Sequence, residues 1–192
     1  MPRIAVKKAM IEDSAIYLFS TKGLPLTTVR DIAEHANVAE GALYRHYSGK
    51  NDMAWKLFNR EVEIFSEKLK PILFDGSLEF TDRVENGVRF MYKYYKNRPN
   101  VFAFILLTQH GFPEEKLLDN EKNPNDILAK FVKMSMDEGF IRKCNEIVLS
   151  GILMGAILQP VIMHWYGRIK TPPMKIANEV IDVCLRMVQK NS

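Results

Sequence analysis

Apolar residues in this chain recur three and four positions apart, and no stretch shows the two-residue alternation of a half-buried strand. The spacing predicts an all-α protein. A first helix over 4–20 carries Ile11, Ala15, Leu18 and Phe19 on one stripe, and Gly23 with Pro25 turns the chain out of it. Val29, Ile32, Ala33 and Ala36 then mark a short helix, and Val38 and Leu43 a second one after a tight turn. Thr28 with Asp31 forms a capping-box pattern at the start of that pair, and Asn37 tolerates the left-handed backbone of the turn. A long helix follows, capped by Asn51 or Asp52, with Leu57, Phe58, Ile64 and Phe65 inward, and closed near Lys70 by Pro71 and the Asp75-Gly76-Ser77 turn.

The second half continues in helices. Leu78 to Lys96 places Val84, Val88, Met91 and Tyr95 on one face, and Pro99 opens an apolar segment from Val101 to Leu107. Residues 112–123 read as a polar loop. Asn123-Pro124-x-Asp126 starts a helix that Gly139 ends, with proline at its first position. A further helix runs from about Asn145 to Gly167, with a bend expected at Pro160. Thr171-Pro172-Pro173 opens the last, which carries Ile176, Val180, Val183, Cys184 and Met187.

Ile147 to Tyr166 lacks Asp, Glu, Lys and Arg, and about 20 such residues suffice to span a bilayer. Ser150, Gln159, Pro160 and His164 interrupt it, and basic residues flank both ends without a positive-inside asymmetry. A helix apolar all round is equally a helix buried on two sides, and no membrane span is expected.

Within Thr27–Lys50, Ala33 and Gly41 are small where two helices would cross, as in a helix-turn-helix. Ala39, Glu40, Gly41, Ala42, Tyr44 and Arg45 face outward, followed by His46, Tyr47 and Lys50. Such a narrow surface, framed by hydroxyl, imidazole and cationic donors, suits a major groove with phosphates on either wall. Spacing alone fits a helical hairpin with an ordinary solvated face just as well.

The residues Phe19, Gly23, Thr28, Val29, Ile32, Ala33, Ala36, Val38, Gly41, Leu43, Tyr44, His46, Tyr47 and Lys50, at these spacings, resemble the N-terminal domain of the TetR family of bacterial repressors. Three departures stand out. Ala39 replaces the usual Ser or Thr cap, Asn37 replaces a turn glycine, and Glu40 brings a negative charge to the groove-facing surface. The resemblance implies a three-helix DNA-binding domain over 1–50 and a helical effector-binding and dimerisation domain over 51–192, about nine helices in all. It implies Thr28, Tyr44, His46 and Lys50 on phosphates, and Arg30, Glu40, Ala42 and Arg45 at base edges. The expected partners are double-stranded operator DNA, a second copy of the chain, and a small, mostly apolar effector.

The resemblance also changes how the methionines and aromatics of the second half read. At helical spacing they are ordinary core. In a body enclosing an effector, Met91, Tyr94, Tyr95, Phe102, Phe131, Met134, Met154 and Leu158 become candidate pocket residues. Gln109, His110, Gln159 and His164 are polar candidates there. Ile152, Ile157, Val161, Trp165, Ile176, Val180, Val183 and Met187 are candidates for a dimer interface built by the last two helices.

Composition adds bounds. The chain has 192 residues, 47% hydrophobic, with formal net charge +4 and a pI near 9.0. The basic excess is shared evenly, +2 in residues 1–50 and +2 beyond, so charge supports nucleic-acid binding without establishing it. Cys144 and Cys184 stand far apart, without metal-ligand spacing, as reduced thiols in a cytoplasmic protein. The start, MPRIAVKKAM, lacks the apolar core of a signal peptide. Ser48-Gly49-Lys50 lacks the upstream glycine of a P-loop, and the paired acids Glu114 and Glu115 have no partner in sight. No enzyme, cofactor or metal is expected. A helical ligand-binding or membrane-associated protein without DNA binding, or an effector-independent DNA binder, is the alternative.

Overall fold

The computed structural model describes residues 3–107, 112 and 122–189, with side chains from residue 7 onward. Gln109, His110, Glu114 and Glu115 lie outside the described residues. Among the described residues there are nine α-helices and no strand. They are α1 (Arg3–Thr21), α2 (Val29–His35), α3 (Gly41–Tyr44), α4 (Lys50–Leu73), α5 (Phe80–Asn97), α6 (Pro99–Phe102), α7 (Pro124–Asp137), α8 (Glu146–Trp165) and α9 (Ala177–Val188). A π-helical turn, Ala103–Leu107, continues α6, and a 3-10 turn, Pro173–Lys175, precedes α9.

The helix ends follow from local chemistry. Thr28 Oγ1 accepts from Asp31 N at 3.0 Å while the Asp31 carboxylate accepts from Thr28 N at 2.7 Å, the reciprocal capping box. The Lys22 ammonium and these Thr28 contacts hold the Asp31 carboxyl down to about 2. Asn145 Oδ1 accepts from Ile147 N and Val148 N to start α8, and Asn123 does the same for α7 through Asn125 N. Gly139 and Gly167, at φ +84° and +72°, close α7 and α8 in the left-handed region that a side chain disfavours. Pro71 does not close α4, which runs on to Leu73. The proline falls in the last turn, where one missing amide donor is the whole loss.

The chain forms two compact units, Met1–Glu61 with Arg98–Leu117, and Val62–Asn97 with Leu118–Ser192. In the first, α1 packs against α2 and α6. Its centre is Ile11, Ala15, Phe19, Ile32, Leu43, Leu57 and Phe104, all buried. In the second, α7 packs on α8, and α9 on α5 and α8. Its centre is Phe65, Tyr92, Ile127, Val132 and Val161, again buried. Tyr92 keeps its hydroxyl satisfied in that core by donating to Ile157 O at 3.0 Å.

Helix α8 is one-sided. Leu149, Ser150, Leu153, Met154, Ile157 and Val161 form its buried stripe. Ile147, Val148, Gly151, Ile152, Gly155 and Gln159 are exposed. It is the one helix, among the described residues, long and apolar enough to cross a membrane.

Candidate DNA interface and effector cavity

The turn between α2 and α3 sets the DNA-facing geometry. Asn37 takes φ +53°, the left-handed conformation its side chain tolerates, and reverses the chain in a single residue. Ala33 and Ala36 are buried there, and Val38 N donates to Ala33 O at 2.9 Å. No side chain caps α3, whose N-cap position is Glu40 rather than Ala39. Its outward face is Ala39, Glu40, Gly41, Tyr44 and Arg45, all exposed, with Ala42 half-buried beside them. Nothing lies within 4 Å of where a Cβ on Gly41 would stand, so the surface is open as well as small. Thr28 and Arg30 are exposed on the α2 side, where Arg30 Nε pairs with Glu34 Oε1 at 2.8 Å.

Two expected contacts change character. Tyr47 is buried and donates its hydroxyl to Glu12 Oε1 at 2.5 Å, so it is not a surface donor. Its ring follows Leu43 of α3, four residues earlier, into the core. Lys50 is half-buried and donates to Leu24 O at 2.8 Å and to Pro25 O at 3.4 Å. Its ammonium holds the turn after α1, so a phosphate would reach it only by exchange with those carbonyls. His46 is half-buried, edge-on to Tyr47 at 6.4 Å.

Behind this surface runs an ion network that sequence reading missed. Glu12 accepts from Tyr47 and, at 2.6 Å, from Arg60 Nη1. Arg60 Nη2 reaches Glu61 Oε1 at 3.0 Å, and Arg98 Nη1 reaches Glu61 Oε2 at 2.8 Å. The only sign in the sequence is an acid, Glu12, next to Ile11 on an apolar stripe. Burial raises the pKa of Glu12, but the Tyr47 and Arg60 hydrogen bonds outweigh it and the net shift is downward. Burial, then the bond to Glu12, push the Tyr47 phenol up. Glu12→Gln should therefore cost about 1.5–3 kcal/mol near neutral pH, the range for a hydrogen bond to a charged group. A carboxyl with a lowered folded pKa stabilises above its ordinary value of 4.5, and that contribution disappears as pH falls through the folded value. Denaturant titrations of the two proteins should thus differ at pH 7 and converge in acid.

The second unit holds a cavity of about 40 Å³ lined by Leu69, Leu73, Val84, Gly87, Val88, Met91, Leu128, Phe131, Leu153, Met154, Ile157 and Cys184. No polar surface faces it, so it is too apolar to hold water. A Cβ at Gly87 would stand 2.9 Å from Leu73 Cδ2, so glycine lets α5 and the end of α4 approach closely. Burial pushes the Cys184 thiol up to about 11, and it stays neutral in this wall. Of the candidate pocket residues, Met91, Phe131 and Met154 line the cavity. Tyr94 and Tyr95 are buried outside its lining, where Tyr94 packs on Phe65 and Tyr95 on His164. Met134 and Leu158 are half-buried and do not line it, and Phe102 is buried in the other unit beside α1. Gln159 is exposed.

The candidate dimer residues also divide. Ile152 and Val183 are exposed, and Trp165, Ile176 and Met187 are half-exposed. Ile157 and Val161 are buried within the subunit, a correction, while Val180, 8% exposed, lines the outward groove with Ile176 and Val183. The reason is phase, since positions 153, 157 and 161 share the stripe of α8 that faces inward. The outward stripe is Val148, Ile152 and Gly155, continued by a shallow groove that includes Ala156, Pro160, Met163 and Val183.

A tight helical pair with a bare outer face, joined in sequence to an all-helical body with an apolar cavity, is the arrangement of a helix-turn-helix protein. The comparisons specify which kind. Residues 11–56 match the family model described as "Bacterial regulatory proteins, tetR family". The repressor KstR2 of Rhodococcus jostii strain RHA1 is 33% identical over 70 residues, 36% of this chain and 34% of that protein. The biofilm operon regulator IcaR of Staphylococcus aureus strain Newman is 24% identical over 142 residues, 72% of this chain and 74% of its own. The solved structure of FadR from Bacillus subtilis, in complex with stearoyl-CoA, superposes with a TM-score of 0.77 at 19% identity, over 95% of this chain and all of that one. Residues 11–56 thus match the DNA-binding segment of the TetR family, and the chain is similar to regulators of that family over most of its length.

Proposed function

We propose that this protein is a homodimeric repressor, held on a near-palindromic operator by paired α3 helices and released when a mostly apolar small molecule enters the second unit. The observation that carries this reading is the outward face of Ala39, Glu40 and Gly41, exposed, small or open at its centre and flanked by the exposed Tyr44 and Arg45. Residues 1–50 act as the DNA-binding segment and 51–192 as the effector-binding and dimerisation body. Thr28, Tyr44, His46 and Lys50 serve phosphates, while Arg30, Glu40, Ala42 and Arg45 serve base edges. Arg is suited to guanine, and Glu40 is suited to the amino group of cytosine. A two-fold axis sets the recognition helices about 34–36 Å apart, one turn of duplex.

Repression is the sign that KstR2, a repressor, and IcaR, a negative regulator, carry in their descriptions. An apolar effector agrees with a cavity that has no polar lining. Helix α4 runs unbroken from Lys50 to Leu73, and Leu69 and Leu73 are cavity residues. An occupant that enlarges the cavity therefore acts on the same helix that begins at the DNA-binding segment. Its effect is limited to its difference in affinity for the bound and released states. The exposed apolar stripe of α8 supports a second copy as the partner, and the protein acts in the cytoplasm as a regulator rather than an enzyme.

Titrating the protein against duplex from the region upstream of its own gene, over a range of salt, tests the reading. Saturable binding should weaken steeply as salt rises, because cations on phosphates release counterions. An absence of salt-sensitive binding would return the chain to the class of helical ligand-binding proteins.

A further inference from the structure

Arg83 lies one turn before Gly87 on α5 and is only 4% exposed. Its guanidinium sits over the rings of Phe131 and Phe140, at 6.0 and 5.7 Å. Phe80 stacks against both rings and closes the aromatic wall. Glu138 Oε2 pairs with this cation at 3.2 Å from Nη2, its side chain 39% exposed, and Asp75 lies within electrostatic reach. The Nε–H of Arg83 is shielded from solvent and has no acceptor among the described residues. Ser135 Oγ is also buried without a hydrogen-bond partner among the described residues, on α7 one turn from Phe131 and one from Glu138. A buried polar atom without a partner is disfavoured, and two on one strip of structure mark a place built for another group.

That place adjoins the cavity. Phe131 belongs to both the wall over Arg83 and the cavity lining, and Val84 and Gly87, the next positions of α5 on that side, line the cavity too. An apolar chamber and a cation with an unused donor thus share one ring. A ligand without an acceptor leaves the donor unmatched, a neutral acceptor meets it without neutralising the cation, and a cationic ligand is repelled. A planar carboxylate accepts from Nε–H and Nη together, the paired geometry that arginine favours.

We propose that the effector is an amphipathic alkanoic acid, its chain in the apolar cavity and its carboxylate on Arg83, replacing Glu138. This rests on the effector reading above and names the ligand's class. A cavity of about 40 Å³ admits only a fragment of such a chain, so entry requires Met91 and Met154 to change rotamer. Methionine is the side chain that does so most readily.

Calorimetric titration of the full chain with octanoate, decanoate and dodecanoate, and with the matching alcohols, separates the two halves of the ligand. The acids should bind about ten- to hundredfold tighter than the alcohols, the range of a charge-assisted hydrogen bond. Arg83→Met should erase that advantage while alcohol binding persists. Glu138→Gln, at a partly exposed position that does not threaten the fold, should tighten the acids alone by removing their competitor. Acids and alcohols binding equally to the unaltered protein, or acids indifferent to both substitutions, would overturn the role of Arg83 and leave the apolar cavity standing. If neither series binds, the effector reading itself falls, and this proposal with it.

Discussion

Ile152→Glu should leave the protein monomeric and weaken operator binding by about 10²–10⁴-fold, the usual worth of linking two binding modules. Ile152 is 51% exposed on the outward stripe of α8, so a glutamate there meets water in the monomer and leaves each subunit folded. In a two-fold pair the same stripe faces itself, and each substitution appears twice in one apolar surface. Two buried acids without partners are strongly disfavoured. Nothing lies within 4 Å of a Cβ at Gly151 or Gly155, so this face is also narrow enough for two helices to approach closely. Sedimentation equilibrium should report one chain per particle, with helical content and melting close to those of the unaltered protein. A dimer that survives the substitution would move the interface elsewhere.

Arg45→Glu should weaken operator binding by at least about a hundredfold without altering stability. Arg45 is exposed immediately after α3, beside the open surface of Ala39 to Tyr44. Like-charge juxtaposition in an interface costs several kcal/mol, and the dimer suffers it in both half-sites. The loss should be greater than that from Arg45→Ala, because reversal adds repulsion to the lost contact. Fluorescence anisotropy with labelled operator measures both. Equal affinity in both variants would take Arg45 out of the interface.

The order of elements was legible because helix starts and stops are local chemistry. The capping box at Thr28 and Asp31, the left-handed Asn37, the Asn123-Pro124 start and the Gly139 and Gly167 stops act within a turn or two of themselves. The open face of α3 was legible for the same reason, since a four-residue helix with Leu43 inward leaves few choices for its neighbours. Tyr47 was misread because nothing near it in sequence shows that Glu12, 35 residues earlier, receives its hydroxyl. Lys50 is a similar case, drawn to carbonyl groups 25 and 26 residues back.

The body was less legible. Helix α8 is apolar on every side, so periodicity does not say which stripe faces inward, and Ile157 and Val161 were assigned to the wrong one. Cavity lining depends on how α4, α5, α7, α8 and α9 meet, and Met91 lines it while neighbouring Tyr94 and Tyr95 do not. The burial of Arg83 could not be read from spacing, because a charged residue at a helix start is usually solvated. The aromatic rings that cover it come from α5 and from residues 131 and 140.

On the proposed function, one small helical surface, carried twice with two-fold symmetry, reads duplex DNA. Selection of bound duplexes from a random library by the purified full chain tests it most directly. The account predicts enrichment of two inverted half-sites with centres about 10 base pairs apart, or a multiple of that turn. Enrichment of a single half-site, of direct repeats, or of no sequence at all would contradict it.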